Sequence, residues 1–121
     1  MRKKILIIED EEEFFFFYET MLEDRDYIIL HATEGMHAFE LLKKENLDLI
    51  ILDLLLDQMS GDEFLRQLRL NPMYTTIPVI IASNFSPRSY KTIFEIDPNL
   101  IFLEKPFTQE RLLAEIRAKL G

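Results

Sequence analysis

The chain of 121 residues is 48% apolar and 30% charged, ordinary proportions for one packed domain and not for a disordered tail. Fourteen Lys and Arg against 22 Asp and Glu leave a net charge of −8; such a segment repels phosphate backbones and anionic lipid, so neither direct nucleic-acid binding nor membrane association is expected of it. There is no cysteine, and the three glycines (Gly35, Gly61, Gly121) fall in no phosphate-cradling pattern, which excludes disulfides, thiol nucleophiles, thiolate metal sites and glycine-loop nucleotide binding.

Short apolar runs alternate with segments of helical period five times along the chain. Ile5 to Ile8 is a continuous apolar run, as in a strand covered on both faces. Phe14, Phe17, Tyr18, Met21 and Leu22 then mark one stripe of a helix. Tyr27 to Leu30 predicts a second strand, and Ala38, Leu41 and Leu42 a second helical stripe. Leu49 to Leu52 is a third buried strand that runs straight into Asp53. Ser60 and Glu63 form a capping-box pattern at the start of a third helix, with Phe64, Leu65 and Leu68 inward and Asn71-Pro72 as its stop. Ile77 to Ala82 is strand four. Ser86-Pro87 opens a helix with Tyr90, Ile93 and Phe94 inward. Leu100 to Leu103 is strand five, and Thr108 caps a last helix carrying Leu112, Leu113, Ile116 and Leu120.

The basic Arg2-Lys3-Lys4 precedes an apolar run of only four residues. A signal peptide needs about 7–15 and a membrane span about 18. The expected location is therefore cytoplasmic. Five βα units predict an α/β fold, an open parallel sheet with helices on both faces, whose ligand crevice lies at the carboxyl ends of the strands.

Those ends carry the chemistry. Strand one ends in Glu9-Asp10, strand three in Asp53 and strand four in Ser83, and Lys105-Pro106 stands just past strand five. If strands one and three are neighbours, three carboxylates meet, and like charges that close require a neutralising cation. Hard oxygen donors point to Mg²⁺. A hydroxyl at Ser83 and an ammonium at Lys105 complete a site suited to a phosphoryl group.

These positions, together with Met59-Ser60-Gly61, the run Pro78 to Ser83, and Phe102 three residues before Lys105-Pro106-Phe107, make the whole chain resemble the receiver domain of two-component response regulators. The resemblance implies a single receiver domain over residues 1–121, standing alone or fronting a longer protein, with strand order 2-1-3-4-5. It implies a phosphoacceptor switch and not an enzyme in the usual sense. Asp53 would take a phosphoryl group from a sensor histidine kinase or phosphotransfer protein, with intrinsic self-phosphorylation and dephosphorylation chemistry. Glu9, Asp10, Asp53 and the backbone carbonyl of Leu55 would hold Mg²⁺, Glu9 through water. Lys105 would pair with Asp53, Ser83 and Phe102 would switch together, and the bond before Pro106 would be cis. The output, to a downstream domain or protein, would use the face of the fourth helix, fifth strand and fifth helix.

Several positions depart from the family pattern. Asp57 stands where a proline is common, and Asn84-Phe85 follows the switch hydroxyl where a small residue walls the phosphoryl pocket; the pair is expected to narrow that pocket. Asp97-Pro98-Asn99 replaces small residues and is expected to alter the turn without touching the chemistry. Phe16 points away from the first-helix stripe and Phe15 lies on its shoulder, a patch for a kinase partner or a homodimer, or else one surface aromatic beside a tucked one. Glu11 to Glu13 read as a solvated helix start, and His31 and His37 have no paired ligand spacing. Two rival functions share parts of this pattern: a degenerate receiver that binds partners without being phosphorylated, and a phosphatase of the haloacid dehalogenase type. The second needs an aspartate two residues past the nucleophile, where this chain has Leu55.

Overall fold

The computed structural model of the chain describes residues 2–54, 60–86 and 91–121. Five parallel strands, β1 (Lys3–Ile8), β2 (Tyr27–Ala32), β3 (Leu49–Asp53), β4 (Val79–Ser83) and β5 (Ile101–Glu104), form one sheet in the order β2-β1-β3-β4-β5. Between and after them run the helices α1 (Glu12–Leu22), α2 (Gly35–Lys44), α3 (Gly61–Leu70), α4 (Lys91–Ile96) and α5 (Gln109–Leu120). This is the expected α/β architecture.

The period of two along each strand sorts the core into layers. Ile5, Ile7, Leu49, Ile51, Ile80 and Ala82 meet Tyr18 and Leu22 of α1 and Leu112, Leu113 and Ile116 of α5. Their alternates Leu6, Ile8, Ile50, Leu52, Val79 and Ile81 meet Ala38, Leu42, Phe64, Leu65, Leu68 and Ile93 from α2, α3 and α4. Covered on both faces, β1 from Ile5 onward, β3 and β4 need no polar residue until their carboxyl ends, which is why their apolar runs are unbroken. Among the described residues no helix is long and apolar enough to cross a membrane.

The caps fall where the sequence puts them. Ser60 Oγ accepts from the Glu63 amide at 3.4 Å, and Thr108 Oγ1 from the Arg111 amide at 3.1 Å. Asn71 Oδ1 accepts from the Met73 amide at 2.9 Å and turns the chain from α3 into a 3-10 turn, Pro72–Tyr74. Pro87 and Tyr90 of the expected fourth-helix start lie outside the described residues.

Two expectations are corrected. β4 begins at Val79, not Ile77, because Pro78 has no amide to give; its carbonyl accepts from the Ile50 amide at 3.0 Å instead. In α1, Phe17 is 54% exposed rather than part of the buried stripe. Phe14 and Tyr18 lean on the Phe107 ring from one side and Phe15 stacks on His31 from the other, so the covered arc is Phe14, Phe15, Tyr18 and Leu22. Asp97, in the altered turn before β5, also makes an ion pair. It receives Arg69 through Oδ2 at 2.7 and 3.0 Å, while Arg69 also donates to the carbonyls of Tyr74 and Ile77, both at 2.8 Å. That cluster ties the end of α3 to the residues before β4 and after α4.

Candidate functional site

Register carries the acids together. Ile8 pairs with Leu52 across β1 and β3, so the next residues, Glu9 and Asp53, come side by side at the strand ends. One carboxylate oxygen each from Glu9, Asp10 and Asp53 lies within 4.8 Å of the others. Glu9 is fully buried and Asp53 nearly so, while Asp10 is half-buried toward the opening.

The cation comes from the far end of the chain. Asp53 pairs with Ala82, Ser83 pairs with Glu104, and the Lys105 amide donates to the Ser83 carbonyl at 2.7 Å. The Lys105 side chain, 3% exposed, puts Nζ 2.6 Å from Glu9 Oε1 and 3.5 Å from Asp53 Oδ2. The Lys105-Pro106 bond is cis, as the resemblance implies. Burial drives the Glu9 carboxyl up from 4.5 to about 7; the Lys105 ammonium pulls against that and Asp53 pushes the same way.

Gly61 is fixed by this crevice. Its amide donates to the Leu54 carbonyl at 3.0 Å, and a Cβ there would stand 2.5 Å from Leu54 Cα and 2.7 Å from the Asp53 carbonyl oxygen. Only glycine lets α3 begin so close to the residue that follows the central acid.

Ser83 is buried beside the acids, and its hydroxyl oxygen accepts from the Phe85 amide at 3.2 Å. Asn84 is exposed and Phe85 is 49% exposed. Phe102 is half-buried against the α4 side of the core, its ring centroid 6.3 Å from that of Phe94. Phe16 is 64% exposed, and Phe15 is half-buried with its ring 3.6 Å from that of His31. Leu55 and Asp57 lie outside the described residues.

Three residues near the site escaped the sequence reading. His31 Nε2 donates to the Glu9 carbonyl oxygen at 2.7 Å and so steadies the turn out of β1. The Tyr18 phenol is held well above its usual 10.0, by burial first and then by the negative field of Glu9 and Asp53. Phe14 lies under the Lys105 ammonium, 3.9 Å from ring centroid to Nζ. Nothing in local spacing marks these contacts, each of which joins distant segments.

The donor set at the three acids is oxygen alone and carries three carboxyl groups against one ammonium. It fits a hard divalent cation and not a soft one. Solved structures of the same shape include the signal receiver domain of a LuxO repressor protein from Vibrio parahaemolyticus. It is 30% identical, with a TM-score of 0.88 over 99% of this chain and 91% of that one. The receiver domain of a sensor histidine kinase from Pseudomonas aeruginosa, described with magnesium coordinated in its active-site cleft, matches at 21% identity. Its TM-score is 0.82, with 100% and 99% covered. Response regulator ArlR of Staphylococcus saprophyticus is 38% identical over 118 residues, 97% of this chain and 52% of its own length. The chain spans about half or less of the curated relatives it matches. The family model for the response regulator receiver domain matches residues 5–117, the stretch that carries every acid, hydroxyl and ammonium of this crevice, and the chain belongs to that family.

Proposed function

We propose that the domain is a phosphoacceptor switch in which Asp53 takes a phosphoryl group from a histidine kinase or phosphotransfer protein in a Mg²⁺-dependent step. A carboxylate oxygen of Asp53 attacks phosphorus, the bond from phosphorus to the donor's imidazole nitrogen breaks, and that nitrogen keeps the electron pair. The product is an acyl phosphate on Asp53. Glu9, Asp10 and Asp53, with the Leu55 carbonyl, would hold Mg²⁺, which when bound offsets the charge between carboxylate and incoming phosphoryl oxygens. Lys105 supplies the fixed positive charge, and Ser83 offers a hydroxyl to a phosphoryl oxygen. Phe102 is proposed to follow Ser83, carrying the change toward α4, β5 and α5 and thence to an output domain or partner. A cytoplasmic setting agrees with such a partner set. Of the expected pair Phe15 and Phe16, Phe16 is the exposed ring, and with Phe17 in place of the stacked Phe15 it is the proposed contact for the phosphodonor or a second copy.

The single observation that supports this most is the convergence of three carboxylates at the strand ends, two of them paired with one buried ammonium. The test is incubation with acetyl phosphate and Mg²⁺, followed by intact mass, with Asp53→Asn as control. One added phosphoryl group that is base-labile and missing in the variant supports the proposal. A folded wild-type chain that stays unmodified and shows no beryllofluoride response would instead be a partner-binding receiver without phosphorylation.

A further inference from the structure

We propose that Phe14 is a positioning residue for Lys105: its ring face confines the ammonium between Glu9 and Asp53, and this sets how fast Asp53 is phosphorylated. The inference rests on the reading of Asp53 as acceptor given above, and adds a residue to it.

Groups from three places in the chain stand against the Lys105 ammonium. Glu9 Oε1 stands at 2.6 Å, Asp53 Oδ2 at 3.5 Å, and the Phe14 centroid at 3.9 Å. A lysine reaches its targets on a flexible four-carbon stem and gains little direction from its point charge. Two carboxylates alone would let it slide toward either acid. A ring face on a further side is attractive to a cation and impenetrable to it, so it limits that sliding. The attraction is strongest where water is excluded, and this side chain is 3% exposed.

The ring is itself held. Phe14 makes edge contacts with Phe17 (6.0 Å, 75°), Tyr18 (5.3 Å, 67°) and Phe107 (5.9 Å, 71°). Phe107 stands two residues past Lys105, so the loop that presents the lysine returns to brace the ring that holds it. An aliphatic side chain at position 14 would fill the room and keep the core, yet offer no charge-seeking face. This separates a positioning role from a packing one.

The experiment compares wild type with Phe14→Leu, Phe14→Met and Phe14→Tyr. Lys105 ε-methylene proton shifts are read by NMR, and the rate of phosphorylation by acetyl phosphate is read at saturating Mg²⁺ alongside Mg²⁺ affinity. The wild-type ε protons should be ring-shifted upfield, a measurement that needs no variant. Phe14→Leu and Phe14→Met should lose that shift and slow phosphorylation about threefold to tenfold, as expected for a buried cation–π contact. Mg²⁺ affinity should stay within about twofold, and Phe14→Tyr should restore both shift and rate. An unshifted wild-type resonance, aliphatic variants as fast as wild type, or a tyrosine variant as slow as leucine would each overturn the inference. If wild type takes no phosphoryl group at all, the acceptor reading fails, while the ring shift still decides whether Phe14 holds the ammonium.

Discussion

The Lys105 ammonium sits closer to Glu9 than to Asp53, 2.6 Å against 3.5 Å, so the acid that receives it most directly is not the expected phosphoacceptor. Glu9 thereby shares the lysine's charge and leaves Asp53 an oxygen-rich neighbour of both. On the proposed reading, Glu9 acts on its neighbours more than on phosphorus. Glu9→Gln should keep the fold and weaken Mg²⁺ binding about tenfold, the size of effect found for groups that orient metal ligands. Isothermal titration of Mg²⁺ into both proteins measures it; equal affinities would remove Glu9 from the metal site.

Gly61→Ala tests how closely α3 abuts the central acid. Alanine inside a helix is ordinarily better than glycine by about 1 kcal/mol. Here its Cβ meets backbone at 2.5 and 2.7 Å, and backbone cannot swing aside as a flexible side chain can. The steric effect should win, with a net loss of about 2 kcal/mol in urea unfolding and slower Asp53 phosphorylation. A stabilised variant would mean that the helix start relaxes freely.

The Arg69–Asp97 pair should be a strong stabiliser when broken from one side. Its side chains are 13% and 12% exposed, and Asp97→Ala would leave a guanidinium facing only the Tyr74 and Ile77 carbonyls. The expected loss is about 3 kcal/mol. Arg69→Met should lose a similar amount, and the double variant less than the two combined. A double-mutant cycle in urea reads the coupling directly, and additive losses would show that the two charges are independent.

Alkaline stability should report on Tyr18. Folding raises this phenol above 10.0, so below that pH both folded and unfolded chains keep it neutral and its contribution is intact. Above 10 the unfolded chain releases the proton and the folded one does not. Stability should then fall with a slope of about 1.4 kcal/mol per pH unit from this group. Tyr18→Phe removes that component, so urea midpoints between pH 9 and 11 should decline less steeply than in wild type. Parallel declines would mean that the phenol ionises in place.

The Asn84-Phe85 pair carries the last prediction. If it narrows access beside Ser83, Asn84→Ala should speed both phosphorylation by acetyl phosphate and loss of the phosphoryl group to water, by about the same factor. Unchanged rates would assign the pair no role in the pocket, in keeping with the exposure of both residues.

Much of this was legible from residue order. The unbroken runs of β1, β3 and β4 announce strands buried on both faces, and such strands can place polar groups only at their ends. Glu9, Asp10, Asp53, Ser83 and Lys105 could therefore be picked before any register was known. What stayed hidden depends on contacts that no local period encodes. Arg69 and Asp97 each look like surface charges until α3 and α4 pack. Phe17 shares a stripe with Tyr18, but whether a stripe position is covered depends on what lies opposite, and the Phe107 and His31 rings cover its neighbours instead. The Phe14 ring was legible as core but not as a partner of an ammonium, because the lysine arrives with β5.

That late arrival has a consequence during synthesis. Glu9 and Lys105 are separated by 96 positions, so a chain leaving the ribosome exposes its acids long before their counter-charge has been translated. Until then the mutual repulsion of Glu9, Asp10 and Asp53 opposes docking of the first and third strands. Whatever lowers that repulsion in the interval, a proton on Glu9 or a cation from solution, eases the docking of the nascent sheet.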